Sequence, residues 1–504
     1  MYFLSPAEID RLKARRQQAA FAPACQAIIQ QATDAIEHPL DIPREGAGWF
    51  HNYFCPDHAV ALTYDVHQPT VHRCPVDGRC YEGAIYDSAW RYKTQCIIVD
   101  GLYASALAWL LTGEGHYLSH AIDVLTAYAE RYAGYEPHGE YAGKGRCMGQ
   151  SLDEAVWAIP LAWAYDIVQE TQTAAWRASI RDRLLRPIAD HLTGQAWHTI
   201  HNIECWHLAG LASLAMVLDE PDYLAPVLDQ STGLPGQCAQ GIREDGWWYE
   251  GSPTYHFYTV NAILSLLLAL RYRYPEYLQQ PRIKAMLDAP LAAARNDLSI
   301  PAFNDGWFDV AQPGYLAGVA KFYDIAWALW EDPSYKILLN RIRATSGGPN
   351  TVEALLFGPD SLHEPEHAAL GNCVQPASGY AFFRRNTDDR TQWLSYKFGP
   401  HGGGHGHMDK LSLDLHAFGE RLSPDLGTPG YGIPLHHLWY RHTLSHNTVL
   451  IDQTAQPEGE GMLFHFADGT SDGFAVATEE GISACRLYAV PQGGMFGLVQ
   501  GIRT

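Results

Sequence analysis

Histidines separated by single glycines carry the strongest chemical signal in this chain. The run Gly399-Pro-His-Gly-Gly-Gly-His-Gly-His-Met-Asp-Lys410 leads into the alternating segment Leu411–His416. Glycines let a backbone approach a ligand closely. His405 and His407 stand two apart, so an extended segment would turn one toward a cleft and the other into a β domain. No Lys-Ser/Thr pair follows, which argues against a phosphate-binding loop. Downstream, Ser423-Pro-Asp-Leu-Gly-Thr428 and Thr443-Leu-Ser-His-Asn-Thr-Val449 supply Asp425 and His446. With His407 they offer two imidazoles and a carboxylate, a zinc set with water in the fourth position. Read singly, Asp425 is a turn residue and His446 a strand end.

Three further clusters lie upstream. His198-Thr-Ile-His-Asn-Ile-Glu-Cys-Trp-His207 packs histidines, an amide and a carboxylate into about three turns, and helical spacing would put His201 and Glu204 on one face. In Arg243-Glu-Asp-Gly-Trp-Trp-Tyr-Glu-Gly-Ser-Pro-Thr-Tyr-His-Phe-Tyr258, Gly and Pro make a loop that opens a helix. Tyr255, His256 and Tyr258 then fall in its first turn, where exposed aromatics can stack on sugar faces. Cys55-Pro-Asp-His58 with Cys74-Pro-Val-Asp-Gly-Arg-Cys80 looks like an irregular zinc ribbon with one badly placed ligand. It reads as an ordered loop over a cleft in preference to a metal site. Asn304-Asp-Gly-Trp307 is one more turn that could line a cleft.

The elements that must position these residues follow from periodicity. Residues 1–40 form amphipathic helix, and 41–90 are irregular and rich in Pro, Gly, His, Cys and Tyr. From about 95 to 345 the pattern is helical, in segments such as Leu102–Leu111, Asp153–Val168, Glu204–Leu218, Val260–Tyr272 and Leu316–Trp330. Several are apolar on more than one face, as in helices buried between neighbours. After Pro349 the segments shorten and become β-rich: Gly379–Phe383, Gln392–Phe398, Leu411–Phe418, Thr448–Ile451 and Gly473–Thr478. The expected partition is a helix and Cys/His loop region at 1–95, helix pairs at 96–350 and an antiparallel β domain at 370–504. The fold class is multidomain α+β, and the β domain is expected to be truncated.

Composition narrows the function. The 504 residues exceed one core's usual size. Thirty-five basic against fifty-six acidic residues leave a net charge of −21, which disfavours a nucleic-acid or membrane-surface partner. No run approaches the ~20 continuous apolar residues of a membrane span. Ten cysteines over this length suit a reducing compartment, and no signal peptide is visible at the start. The expected setting is cytoplasmic, with the bacterial periplasm as the alternative if the start is processed. Twenty-four histidines and sixty aromatics suit acid/base chemistry on sugar rings.

Taken together, His405-Gly-His407-Met-Asp-Lys-Leu-Ser, Pro424-Asp-Leu-Gly, Ser445-His-Asn-Thr-Val and Glu250-Gly-Ser-Pro-Thr-Tyr-His resemble the heparinase II/III-like polysaccharide lyases. Oligoalginate lyases and glycosaminoglycan lyases belong to that family. The resemblance spans about residues 45–490. It implies an incomplete (α/α) toroid followed by a two-sheet antiparallel β-sandwich. It also implies β-elimination at a uronic acid in an anionic polysaccharide or oligosaccharide, leaving a 4,5-unsaturated sugar. Tyr255 matches the family's catalytic tyrosine, and His201 and Asn202 its carboxylate neutraliser. His405 matches the second acid/base, expected across the sugar from Tyr255. Glu204, His256, Tyr440 and Arg441 are expected substrate contacts. The family's metal ligands fall on His407, Asp425 and His446, implying one structural divalent ion, zinc by its ligands. The alternatives are an (α/α)-barrel glycoside hydrolase, with Glu204, Asp245, Glu250 and Asp305 as available acids, and a non-catalytic carbohydrate-binding protein.

Overall fold

The computed structural model describes residues 1–139, 141–346, 348–360, 371–387, 390–450, 452–468, 473–479, 482–488 and 497–501. The chain divides into two compact units, neither continuous in sequence. The first is Met1–Ala239, Asn261–Gln280 and Lys321–Glu364; the second is Gln240–Val260, Pro281–Ala320 and Pro365–Thr504. The expected sequential partition lies differently, because the segments 240–260 and 281–320 group with the strands.

Helices make the first unit. Ala22–Glu37 packs on Ala84–Thr112, which packs in turn on Gly115–Arg131 and Ser151–Val168; Ser151–Val168 packs on Asn202–Leu218. Local chemistry sets their ends. Ser5 and Glu8 form a capping box on Pro6–Arg15, with Pro6 in the first turn. Left-handed Gly113 and Asp219 stop two others. Nearly every residue of Asn202–Leu218 is buried, as its all-round apolar sequence requires. Among the described residues, Ala84–Thr112 is long and apolar enough by composition to cross a membrane. However, 67% of that window is buried inside the protein, so its apolar surface is spent on the core. The chain start is pinned here as well: Asp166 accepts from the Tyr2 and Phe3 N–H groups at 2.6 and 3.0 Å.

The second unit carries two antiparallel sheets. One follows chain order, Cys373–Gln375, Tyr380–Thr387, Arg390–Lys397, Ser412–Ala417 and Glu420–Ser423. The other runs Met462–Asp468, Gly473–Glu479, Ile482–Tyr488 and Gly497–Gly501. Alternation decides the faces. Ala381, Phe383, Leu394, Tyr396 and Phe398 form a core with Leu463 and Phe466 of the second sheet. The opposite face carries Tyr380, Ser395, Lys397 and Asp414, and it too is buried. It lies against the 240–260 and 281–320 segments: Tyr380 stacks on Phe303 at 4.7 Å, and Arg295 pairs with Asp414 at 2.6 Å. Polar residues of alternating strands, which a solvated face would leave in water, therefore find partners inside. The expected strand at Thr448–Ile451 does not form over 448–450, and Ile451 lies outside the described residues.

Candidate functional site

Tyr255 stands in the first turn of the helix Pro253–Leu270. Pro253 opens that turn, where its missing N–H costs nothing. The phenol ring lies on the His405 imidazole, with centroids 3.6 Å apart and planes inclined by 18°. This corrects the expectation that the two groups face each other across a sugar. Asn304 explains why they meet. Its Nδ2 donates to the Gly251 carbonyl at 2.9 Å, while its Oδ1 accepts from the His407 N–H at 3.1 Å and from Lys397. One amide thus ties the loop before Tyr255 to the histidine loop. Gly402 permits the approach, since a Cβ there would run into the Glu250 carbonyl oxygen.

The histidine loop also departs from expectation. Gly403–His405 is a single 3₁₀ turn, begun by Gly403 at φ 61°, and not an extended segment. Consequently His405 and His407 do not diverge. Asp305 Oδ2 lies 2.8 Å from His405 Nδ1, and Asp305 Oδ1 lies 2.8 Å from His407 Nε2. The Tyr431 hydroxyl is 3.2 Å from both Asp305 Oδ2 and His405 Nδ1. On the other side of the ring, Glu250 Oε1 is 3.5 Å from His405 Nε2. His405 is therefore bracketed by two carboxylates, one on each ring nitrogen, which fix the orientation of the imidazole.

Burial would raise the pKa of Asp305, but hydrogen bonds from His405 and His407 outweigh it and hold the carboxyl well below its ordinary range. Tyr255 moves the other way. Burial raises its phenol and outweighs the lowering by the Tyr431 hydrogen bond, and the nearby Asp305 and Glu250 charges add smaller increases. The neutral phenol is a proton donor. In the sequence Asn304 reads only as part of a turn, and Asp305 as part of that turn and as an available acid for the hydrolase alternative. Two adjacent polar residues directly after the apolar stretch Ile300-Pro-Ala-Phe303 were the available signal, because buried polar groups need partners.

His407 and His446 lie with ring centroids 5.2 Å apart, both buried. His407 Nδ1 and His446 Nε2 are buried with no hydrogen-bond partner among the described residues. The remaining nitrogen of each ring sits on a carboxylate: His407 Nε2 on Asp305, and His446 Nδ1 at 3.3 Å from Asp425 Oδ2. Asp409 is the third acid here: one of its oxygens and one nitrogen from each of His407 and His446 lie within 4.8 Å of one another. Asp409 already meets Lys397 and, at 3.2 Å, Lys410. Asp425, the expected ligand, lies outside that group: it meets His446 Nδ1 and accepts from the Gly427 N–H at 3.0 Å, and it has no lysine ion pair among the described residues. Two orphaned imidazole nitrogens beside carboxylates fit a divalent ion, with Asp305 as the outer partner of one ring.

Other expected contacts are committed elsewhere. His256 is fully buried, accepting from the Trp248 N–H at Nδ1 (3.1 Å) and donating from Nε2 to the Met286 carbonyl (2.9 Å). It is a clamp between backbone segments and not a sugar contact. Glu204 is buried too, accepting from the Trp197 N–H at 2.8 Å and facing His207 at 3.3 Å. Arg441 donates twice to the Gly406 carbonyl, at 3.2 and 2.8 Å, so its fork holds the histidine loop. Tyr440 is partly exposed beside it. In the first unit His201 precedes its helix instead of lying within it. It is the N-cap of Asn202–Leu218, its Nδ1 accepting from the Ile203 N–H at 3.2 Å, and Asn202 is buried next to it.

Comparison with known proteins gives two family-model matches. Residues 70–288 match the model described as "Alginate lyase", and residues 374–481 match "Heparinase II/III-like, C-terminal". An alginate lyase of Stenotrophomonas maltophilia is 26% identical over 403 residues, covering 71% of this chain and 52% of that protein. An exo-oligoalginate lyase of Saccharophagus degradans is 25% identical over 378 residues, covering 69% and 51% respectively. The chain thus spans about half the length of these curated relatives. Among solved structures, a heparinase III superposes with a TM-score of 0.56 at 15% identity, covering 92% of this chain and 68% of the other. That likeness gives the fold class, a helical toroid followed by an antiparallel sandwich.

Proposed function

We propose that this chain is a heparinase II/III-like polysaccharide lyase and that it cleaves a uronate-containing polysaccharide or oligosaccharide by β-elimination. Alginate is the substrate class we favour, because the helical part matches the alginate lyase model and both curated relatives carry that activity in their names. The observation that carries the reading is the Tyr255–His405 stack held by Asp305 and Glu250.

Elimination requires three acts: offsetting the uronate carboxylate, removing the C5 proton and protonating the departing O4. The family pattern assigns the first to His201 and Asn202. His405, with Asp305 on Nδ1 and Glu250 Oε1 3.5 Å from Nε2, takes the C5 proton at Nε2. Tyr255, kept neutral by burial, donates to O4 as the C4–O4 bond breaks. Stacked rings approach the sugar from one side, so the proton and the leaving oxygen must share a ring face. That is syn elimination. Mannuronate, whose H5 and O4 are cis, fits it, whereas guluronate, its C5 epimer, does not. The test is the ultraviolet absorbance of the unsaturated product on mannuronate and guluronate oligomers of equal length. Faster cleavage of the guluronate series would overturn the syn assignment, and new reducing ends without the chromophore would point to a hydrolase.

We assign a divalent ion, zinc by ligand type, to His407, His446 and Asp425. When bound, it supplies cross-linking of the β domain and no bond-making step. Its effect on catalysis runs through Asp305, which touches the His407 and His405 rings together.

A further inference from the structure

In the first unit, Cys55-Pro-Asp-His58 and Cys74-Pro-Val-Asp77 fold as two copies of one turn. Within the first, the Ala59 N–H donates to the Cys55 carbonyl at 2.9 Å, and the Cys55 N–H to the Val60 carbonyl at 2.8 Å. Within the second, the Gly78 N–H donates to the Cys74 carbonyl at 3.0 Å, and the Cys74 N–H to the Arg79 carbonyl at 2.8 Å. The residue closing each turn is left-handed, Ala59 at φ 56° and Gly78 at φ 75°. For alanine that conformation is unusual, so the turn is imposed by what it holds. In both copies a donor side chain stands three residues after the cysteine: His58 in one, Asp77 in the other.

The four side chains converge. His58 Nδ1 is 3.4 Å from Cys55 Sγ, 3.5 Å from Cys74 Sγ and 4.0 Å from Asp77 Oδ2. The Cys74 thiol is a hydrogen-bond neighbour of both Cys55 and Asp77. Both sulfurs also have outer polar neighbours: the Tyr81 hydroxyl lies 3.1 Å from Cys55 Sγ, and the Val76 N–H donates to Cys74 Sγ at 3.4 Å. An N–H or O–H in these positions spreads the charge of a metal-bound thiolate. The cysteines are fully buried in a cluster with Tyr53, Leu62, Ala89 and Trp90. Cys80, the ligand that sequence spacing suggested, is exposed and turned to the Gly78 carbonyl. The ribbon looked irregular only because the wrong residue was counted as its fourth ligand.

We propose that Cys55, His58, Cys74 and Asp77 form a structural zinc site. Four protein donors leave no open position, so the ion closes the 55–78 loop and does no chemistry. This inference is independent of the lyase reading and of the β-domain ion, which has no sulfur ligand.

Cobalt(II) substitution of the intact chain separates the two sites. Only a thiolate site gives a near-ultraviolet sulfur-to-cobalt charge-transfer band. We expect that band in the wild type and in His407→Ala, and its loss in Cys55→Ser and Cys74→Ser. Metal content should fall by one equivalent per chain in those two variants and stay unchanged in Cys80→Ser. Asp77→Asn, which keeps both thiols and the turn, should release zinc to a chelator faster than wild type. Should a cysteine variant fail to fold, alkylation of the wild type decides the matter: Cys55 and Cys74 should react only after chelation. Protection relieved by a reductant instead of a chelator would mean a disulfide and overturn the site, as would a cobalt spectrum without the sulfur band.

Discussion

At the residue scale, the proposed mechanism separates groups that handle protons from groups that hold them in place. Tyr255→Phe removes one O–H from a ring whose stacking survives, so activity should drop by about 10²–10⁴-fold with little change in melting temperature. Turnover within threefold of wild type would remove the phenol from the mechanism. Asp305→Asn keeps the shape but cannot accept from both imidazoles. Activity should fall by about 10²-fold or more, and the pH–rate profile should shift as His405 loses its carboxylate; an unchanged profile would make Asp305 merely structural. His256 offers a pH test of its own. Burial lowers its pKa to about 4. Below the ordinary value of about 6.5 the unfolded chain binds a proton that the folded chain refuses, so stability is complete above that pH and declines toward pH 4, by roughly 3 kcal/mol at most. His256→Gln, which can still donate and accept, should flatten that decline in denaturant titrations at about pH 7 and about pH 5.

At the element scale, the first sheet is held from both faces, and its second face depends on charge. Arg295 and Asp414 are both fully buried, 2.6 Å apart, with the guanidinium 4.4 Å over the Trp393 ring. Asp414→Ala strands a buried cation and should cost about 3–5 kcal/mol, whereas Arg295→Met with Asp414→Leu should recover most of that loss. A double variant no more stable than the single one would show that the pair sets the fold of this face as well as its charge balance. Helix ends follow the same logic in the first unit. Arg15 donates to the Ala354, Leu355 and Gly358 carbonyls at 3.2, 2.7 and 2.6 Å, capping the end of Val352–Phe357 from another part of the chain. Arg15→Met should cost about 2–3 kcal/mol in a denaturant melt by leaving those acceptors unpaired.

At the scale of the whole molecule, metal content is the informative measurement. On the proposed assignment, His407→Ala, Asp425→Ala and His446→Ala should each lose bound metal and lower the melting temperature, because an ion joining separate segments contributes folding free energy. His405→Ala should keep the ion. Asp409→Asn decides between the two acids: its carboxylate is occupied by Lys397 and Lys410, so zinc should remain, and zinc loss there would move the ligand from Asp425 to Asp409.

Residue type and short-range pattern determined much of this protein. Helical periodicity located the long buried helices, alternation located four of the strands, and the combined motifs pointed to Tyr255 and to the histidine loop. Those signals are local, because a helix or strand is written within a dozen residues. Contacts between distant segments were decided by tertiary structure alone. That His405 and His407 share one carboxylate depends on Asp305, about a hundred positions away, and on a 3₁₀ turn that alternation cannot register. His256 and Glu204 look like ligands in sequence because both are polar and sit beside catalytic candidates. Only the fold buries them against backbone N–H groups that require an acceptor. Asp77 was invisible as a ligand for the same reason: an aspartate in a turn is ordinary until a second turn of identical geometry brings two thiols and an imidazole to it. Sequence names the groups able to do chemistry, whereas the pairing of buried polar atoms, each of which must find a partner, selects which of them are left to do it.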